Sequence, residues 1–152
     1  MSRPVFDMNV FVEYENIMTE KDITKMALSA VVLYELTATT IDKSRWQKYI
    51  AWRKAFTELE RYLIPTSEDW WESSKIVSRM RFGEKSVSRG KTPKDPNAQK
   101  RQNDVLIART AFANKFFVVT SNTADFRKIQ QFPMSKLCQP KNTLKQMPEK
   151  PC

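Results

Sequence analysis

Four acidic residues that are far apart in the chain each border an apolar run typical of a buried strand or helix. They are Asp7, Glu35, Asp104 and Asp125. Folding could bring their carboxylates together. Two carboxylates ~4 Å apart repel by about 4 kcal/mol at an effective dielectric of 20, so a cluster of them requires a cation or shifted pKa values. Mg²⁺ or Mn²⁺, which prefer oxygen ligands, are the ions expected.

The first quarter of the chain predicts two strand-helix units. Val5-Phe6 indicates a short strand, and Asn9 could cap a helix that runs from about Val10 toward Met18. Residues 26–28 predict a second strand. Ser29 then predicts the N-cap of a helix that carries Glu35 in its second turn.

The middle of the chain predicts two longer helices. Apolar residues recur at intervals of three and four from Asp42 to Leu63, the pattern of an amphipathic helix. Pro65 ends it, and residues 66–69 (Thr-Ser-Glu-Asp) predict a capping box for a helix that extends through Met80. The four tryptophans, Trp46, Trp52, Trp70 and Trp71, are expected to pack in the core rather than at a dimer or partner interface.

The last third predicts a helix from Asp104 to about residue 114, a strand over 116–120, a short helix over 122–129 and a further strand over 134–138. Alternating strands and helices predict an α/β fold, a three-layer α/β/α sandwich around a central parallel sheet. Asp7 and Asn122 would then lie beyond the carboxyl ends of the strands, where such folds bind ligands. Residues 1–140 are interpreted as one domain, and 141–152 as a loosely ordered tail.

Composition narrows the possible functions. The chain has 26 Lys and Arg against 17 Asp and Glu, for a net charge of +9, which favours a polyanionic partner such as RNA, DNA or an acidic protein, although solubility alone could explain it. The sequence has no histidine, which excludes Ser-His-Asp and Cys-His catalysis and histidine-ligated zinc. Its two glycines are too few for dinucleotide-binding or phosphate-loop motifs. Two cysteines and no long apolar segment predict a cytoplasmic protein outside the membrane.

Residues 83–101 lack periodicity and contain Gly90, Pro93 and Pro96, so they predict a loop. The loop is strongly basic, and phosphate contact and a merely hydrated surface are about equally good interpretations. The candidate RNA-binding residues are Lys85, Arg89, Lys91, Lys94, Lys100 and Arg101.

Four short blocks, in this order, resemble the PIN-domain ribonucleases, and among them the VapC-type toxins of toxin-antitoxin pairs. The similarity extends from about Val5 to Pro140. The blocks are Phe6-Asp7-Met8-Asn9-Val10-Phe11-Val12, Ser29-Ala30-Val31-Val32-Leu33-Tyr34-Glu35-Leu36, Asp104-Val105-Leu106-Ile107-Ala108 and Val119-Thr120-Ser121-Asn122-Thr123-Ala124-Asp125-Phe126. Met8 departs from the family, which usually has Thr or Ser at this position.

The resemblance implies a Mg²⁺- or Mn²⁺-dependent endoribonuclease that cleaves structured RNA and acts as the toxin of a type II toxin-antitoxin system. It implies that Asp7, Asp104 and Asp125 bind the metal and that Glu35 completes the catalytic set. Asn9, Thr120 and Asn122 would be its polar support. A small antitoxin protein and a homodimer are the implied partners.

Other interpretations remain open. Taken singly, each acid is more simply a helix cap, a helix-dipole partner or a surface residue. A catalytically silent PIN-like module that binds RNA or protein is the main alternative. A DNA-directed nuclease of the same fold is also compatible. A phospho-acceptor receiver domain ranks lower, because Asp7 has no acidic neighbour.

Overall fold

The computed structural model describes residues 3–83 and 95–132. The elements in chain order are β1 (Pro4–Phe6), α1 (Met8–Tyr14), α2 (Glu20–Ile23), β2 (Leu28–Ser29), α3 (Ala30–Thr39), α4 (Lys43–Glu58), β3 (Tyr62–Leu63), α5 (Ser67–Phe82), a 3-10 helix (Ala98–Arg101), α6 (Gln102–Ala113), β4 (Phe117–Val119) and α7 (Thr123–Gln130). Mixed helix and strand with parallel pairing agrees with the predicted α/β class. The three-layer arrangement stays a prediction. The predicted strand over 134–138 and the tail lie outside the described residues.

The strands pair in parallel in two short ladders. β1 pairs with β4, with Phe6 opposite Val119, and β2 pairs with β3, with Leu28 opposite Tyr62. A parallel bridge between Val5 and Ala27 connects the ladders, so the strands lie side by side in the order β3, β2, β1, β4. All four carboxyl ends therefore point toward the same edge. The residues that follow β1 and β4 meet there.

Two of the predicted helix starts are confirmed. Ser29 caps α3, since its hydroxyl oxygen accepts a hydrogen bond from the Val31 backbone N–H at 3.2 Å. Thr66 and Asp69 form the predicted capping box of α5, in which each side chain accepts from the other residue's backbone N–H. These side chains satisfy N–H groups that have no partner within the helix.

The predicted start of α1 is wrong by two residues. Asp7, not Asn9, is its N-cap, and the Asp7 Oδ1 atom accepts from the Met8 backbone N–H at 2.7 Å. Asn9 lies inside the helix, where its side chain is exposed. β1 ends at Phe6, so the helix begins as soon as the chain leaves the sheet.

The helix predicted over 42–63 extends too far toward the C-terminus. Asp42 caps α4, but the helix ends at Glu58, and Glu60 adopts a positive φ of 53°. This left-handed residue turns the chain back toward the sheet, where β3 pairs with β2. The apolar pattern continued into Leu63 because that residue is buried in a strand rather than a helix.

The core consists of two apolar clusters in the described residues. The larger contains β1, β2, α3 and part of α4 with Leu106 and Ile107 of α6, while the smaller lies between α5, α6 and α7. Trp52 is buried as predicted. The prediction is wrong for Trp46, Trp70 and Trp71, which are exposed because they lie on helix faces turned away from both clusters. None of the helices within residues 3–83 and 95–132 has both the length and the hydropathy that a membrane span requires.

Candidate functional site

Asp7 and Thr120 lie side by side at the carboxyl ends of β1 and β4. The Asp7 backbone N–H donates to the Val119 carbonyl at 2.9 Å, which extends the ladder by one residue. The Thr120 hydroxyl then donates to Asp7 Oδ2 at 2.9 Å. Asp7 is only 3% exposed. The parallel register thus brings together two residues that are distant in the chain and buries one carboxyl group.

The turn after β4 connects this pair to Asp125. The Thr120 hydroxyl oxygen accepts from the Asn122 backbone N–H at 2.9 Å, and Asn122 Nδ2 donates to Asp125 Oδ2 at the same distance. Asp125 lies in the first turn of α7. A continuous set of hydrogen bonds therefore runs from Asp7 through two of the predicted supporting residues to Asp125.

Glu35 and Asp104 approach from two helices. Glu35 lies in the second turn of α3, and Asp104 lies in the first turn of α6. The neighbouring Asn103 donates from Nδ2 to Glu35 Oε1 at 2.8 Å. The N-terminal turn of α6 therefore contributes one acid and fixes the orientation of another.

The other three acids are close enough to affect the pKa of Asp104. Burial, followed by the charges of Asp7, Glu35 and Asp125, raises the pKa of Asp104 to about 7, and Arg101 partly opposes this shift. Each acid of the set thus acts on the same carboxyl group. Such mutual repulsion at a partly buried position is a common property of functional sites, although structural networks can produce it too.

Of the other three acids, two have a raised pKa and one has a lowered pKa. Burial raises the pKa of Asp7 above its ordinary value, although Thr120 and the Met8 N–H partly offset it. Burial also raises the pKa of Glu35, against the lowering effect of the Asn103 hydrogen bond, and the charge of Asp7 adds to the rise. By contrast, hydrogen bonds from Arg101 and then Asn122 hold the pKa of Asp125 below its ordinary value.

Arg101 is the cation of this site. Its Nε donates to Asp125 Oδ1 at 2.6 Å, and one terminal nitrogen donates to Asp95 Oδ2, also at 2.6 Å. The Arg101 side chain is only 11% exposed. These bonds raise the pKa of the guanidinium, so it is permanently charged. Its contacts are with carboxylates of the protein, whereas the sequence suggested a role at an RNA surface.

The donor chemistry of the site fits a hard divalent cation, because all four groups are carboxylates and a cation would relieve the repulsion at Asp104. Within residues 3–83 and 95–132, however, no group of three or more His, Cys, Asp or Glu side chains is arranged to hold a metal ion. Mg²⁺ commonly uses only one or two carboxylates and retains several waters. Two of these acids would therefore suffice as direct ligands.

Two further predicted residues lie outside this centre. Lys100 lies exposed in the 3-10 helix, and Asn9 lies exposed on α1. Lys85, Arg89, Lys91 and Lys94 fall outside the described residues. Sequence reasoning missed Asn103 and Asp95. Asn103 is recognisable only by its position next to Asp104, and Asp95 carries no local signal.

Comparisons with known proteins assign no family. No protein-family model matches the chain, and no curated protein sequence matches it significantly. The chain is similar to one in a solved structure described as "Structure of FitAB bound to IR36 DNA fragment", at a TM-score of 0.45 and 17% identity, over 84% of this chain and 90% of that one. This degree of similarity does not place the chain in a family.

Proposed function

We propose that the chain is a PIN-like, Mg²⁺- or Mn²⁺-dependent endoribonuclease that cleaves structured RNA. The observation that carries the proposal is the set of hydrogen bonds that joins Asp7 through Thr120 and Asn122 to Asp125. The charges of Asp7, Glu35 and Asp125 also raise the pKa of Asp104. Carboxylates that gather near the carboxyl ends of parallel strands are suited to a divalent cation and a phosphodiester. The four-block resemblance and the net charge of +9 support the same substrate class.

When bound, a divalent cation would polarise the scissile phosphate and help to ionise the attacking water. Asp7 and Asp104 are the proposed ligands, with Asp125 as a third candidate. Glu35 is suited to accept a proton from the water at Oε2, because Oε1 is engaged by Asn103 and its raised pKa makes it a better base than an ordinary glutamate. Thr120 and Asn122 orient Asp7 and Asp125.

The proposed biological role is that of the toxin in a type II toxin-antitoxin pair in the cytoplasm. Its partners would be a small antitoxin protein and a second copy of the chain. The support is the resemblance of the four acidic blocks. This role predicts that a small protein encoded alongside binds the chain, and that the complex formed on co-expression no longer cleaves RNA.

The decisive experiment compares wild type with Asp104→Asn on total RNA, with Mg²⁺ and with EDTA. The amide keeps the shape of the side chain and removes its charge, so cleavage should fall by at least about a hundredfold. Glu58→Gln, at an exposed position of α4, is the control and should cleave like wild type. Equal, EDTA-resistant cleavage by wild type and Asp104→Asn would refute the proposal and indicate a contaminating nuclease.

Two observations favour a second candidate, a catalytically silent module of the same fold that binds RNA or protein. Arg101 already supplies a cation to Asp125, and Met8 occupies the position where the resembled family has a hydroxyl group. This candidate predicts RNA binding that EDTA does not change, with no cleavage products. Metal-dependent cleavage lost in Asp104→Asn would exclude it.

A further inference from the structure

Arg101 lies between two carboxylates that belong to different parts of the protein. Asp125 is one of the acids that act on Asp104, whereas Asp95 precedes the 3-10 helix and is not among the charges that do so. The guanidinium bonds each of them at 2.6 Å through different nitrogens. One contact therefore reaches into the acidic cluster, and the other lies outside it.

The position of Arg101 is the one expected of an internal counterion. Its positive charge opposes the rise in the pKa of Asp104 that the neighbouring carboxylates cause. A charge-assisted hydrogen bond at a nearly buried guanidinium is stronger than a bond between neutral groups. A divalent cation that used Asp125 would therefore have to compete with this bond, and the guanidinium would keep Asp95 as a partner after release.

We propose that Arg101 is a tethered cation that holds Asp125 in the metal-free protein, and that a divalent cation displaces it from Asp125 onto Asp95 alone. This inference rests on the proposed metal-binding role of the acidic cluster. It assigns Arg101 as a positioning residue that sets the metal affinity of the site. It also assigns Asp95, outside the cluster, an effect on that affinity.

The test measures the affinity of the full-length chain for Mn²⁺ alone, by calorimetry and by electron paramagnetic resonance of free Mn²⁺. Arg101→Gln removes the competitor, so Mn²⁺ should bind about fivefold more tightly, which corresponds to about 1 kcal/mol. Asp95→Asn leaves Asp125 as the sole carboxylate partner of the guanidinium, so Mn²⁺ should bind several-fold more weakly. Arg79→Gln, at an exposed position of α5, removes the same charge elsewhere and should leave the affinity unchanged.

Competition predicts tighter Mn²⁺ binding in Arg101→Gln and weaker binding in Asp95→Asn. A purely structural role of the ion pairs predicts weaker binding in both variants. If Arg101→Gln does not fold, Arg101→Lys replaces it. Lysine keeps the charge but cannot form the planar fork, so Mn²⁺ should bind more tightly than in wild type by a smaller factor. Unchanged or weaker binding by the Arg101 variant would overturn this inference alone. No Mn²⁺ binding by wild type or any variant would overturn it together with the proposed metal dependence.

Discussion

Asn103 Nδ2 donates a hydrogen bond of 2.8 Å to Glu35 Oε1, although 68 residues separate the two in the chain. This bond links the first turn of α6 to the middle of α3. The donor favours the charged form of Glu35, since it lowers the pKa that burial raises. Asn103, the residue next to Asp104, therefore lowers the pKa of Glu35, the proposed general base.

Replacing Asn103 with Ala should reduce cleavage by about tenfold, the usual scale for a lost supporting hydrogen bond. The pKa of Glu35 should rise further, so the acidic limb of the pH-rate profile should move to higher pH. Asn114→Ala is the matched control, because Asn114 donates to the Thr110 carbonyl at the other end of α6. An unshifted profile in Asn103→Ala would mean that Glu35 does not act as the base.

The raised pKa of Asp104 predicts a dependence of stability on pH. Between its unfolded value of 3.8 and its folded value of about 7, the native protein binds a proton that the unfolded chain has lost. The free energy of unfolding should therefore fall as pH rises through this window, by ~1 kcal/mol after allowance for solvent screening. Urea unfolding at several pH values, without metal, measures it. Asp104→Asn should flatten the slope of the free energy of unfolding against pH. Asp22→Asn, at an exposed position, should leave that slope unchanged. Equal slopes in the two variants would contradict the assignment.

Asp104→Asn should raise stability without metal and should reduce the stabilisation that Mg²⁺ provides. Without metal above about pH 7, the variant should be more stable than wild type, because it removes a charge that three neighbouring carboxylates repel. With Mg²⁺ at ten times its dissociation constant, wild type should gain about 1.4 kcal/mol. The variant should gain clearly less. Thermal melting with and without Mg²⁺ measures both effects, and an equal gain in the two proteins would exclude Asp104 as a ligand.

Thr120→Val should lower the free energy of unfolding by about 1 to 2 kcal/mol, because it leaves Asp7 Oδ2 and the Asn122 N–H without their shared partner. The pKa of Asp7 should rise, since the lost bond favours its charged form. Urea unfolding measures the change in the free energy of unfolding. The pH dependence of cleavage measures the change in the pKa of Asp7. Thr120→Ser keeps the hydroxyl group and should behave nearly like wild type. If the Val and Ser variants are equally stable, the hydroxyl group contributes nothing measurable, and the assigned role of its two hydrogen bonds is wrong.

Features that depend on neighbouring residues were predictable from sequence. Ser29 and the Thr66 capping box identify helix starts because each side chain bonds a backbone N–H two or three residues away. The helix that carries Asp104 was predicted within two residues of its observed start. The capping bonds of Ser29 and Thr66 lie within a single turn of chain.

Features that depend on tertiary contacts were not predictable in the same way. β3 has two residues and exists because it pairs with β2, so the periodicity of α4 gave no warning of it. Arg101 stands in a run of basic residues, and nothing in that run distinguishes it as the partner of Asp125. Its assignment required the position of α7, which follows it by more than twenty residues.

The pairing of β1 with β4 has a consequence for synthesis of the protein. The bond between Asp7 and Thr120 spans 113 residues, so the first acid of the centre is translated long before the residue that holds it. An N-terminal fragment that ends before Phe117 has neither β4 nor Asp125. A nascent chain on the ribosome would therefore carry an incomplete centre until nearly all of the described residues had emerged.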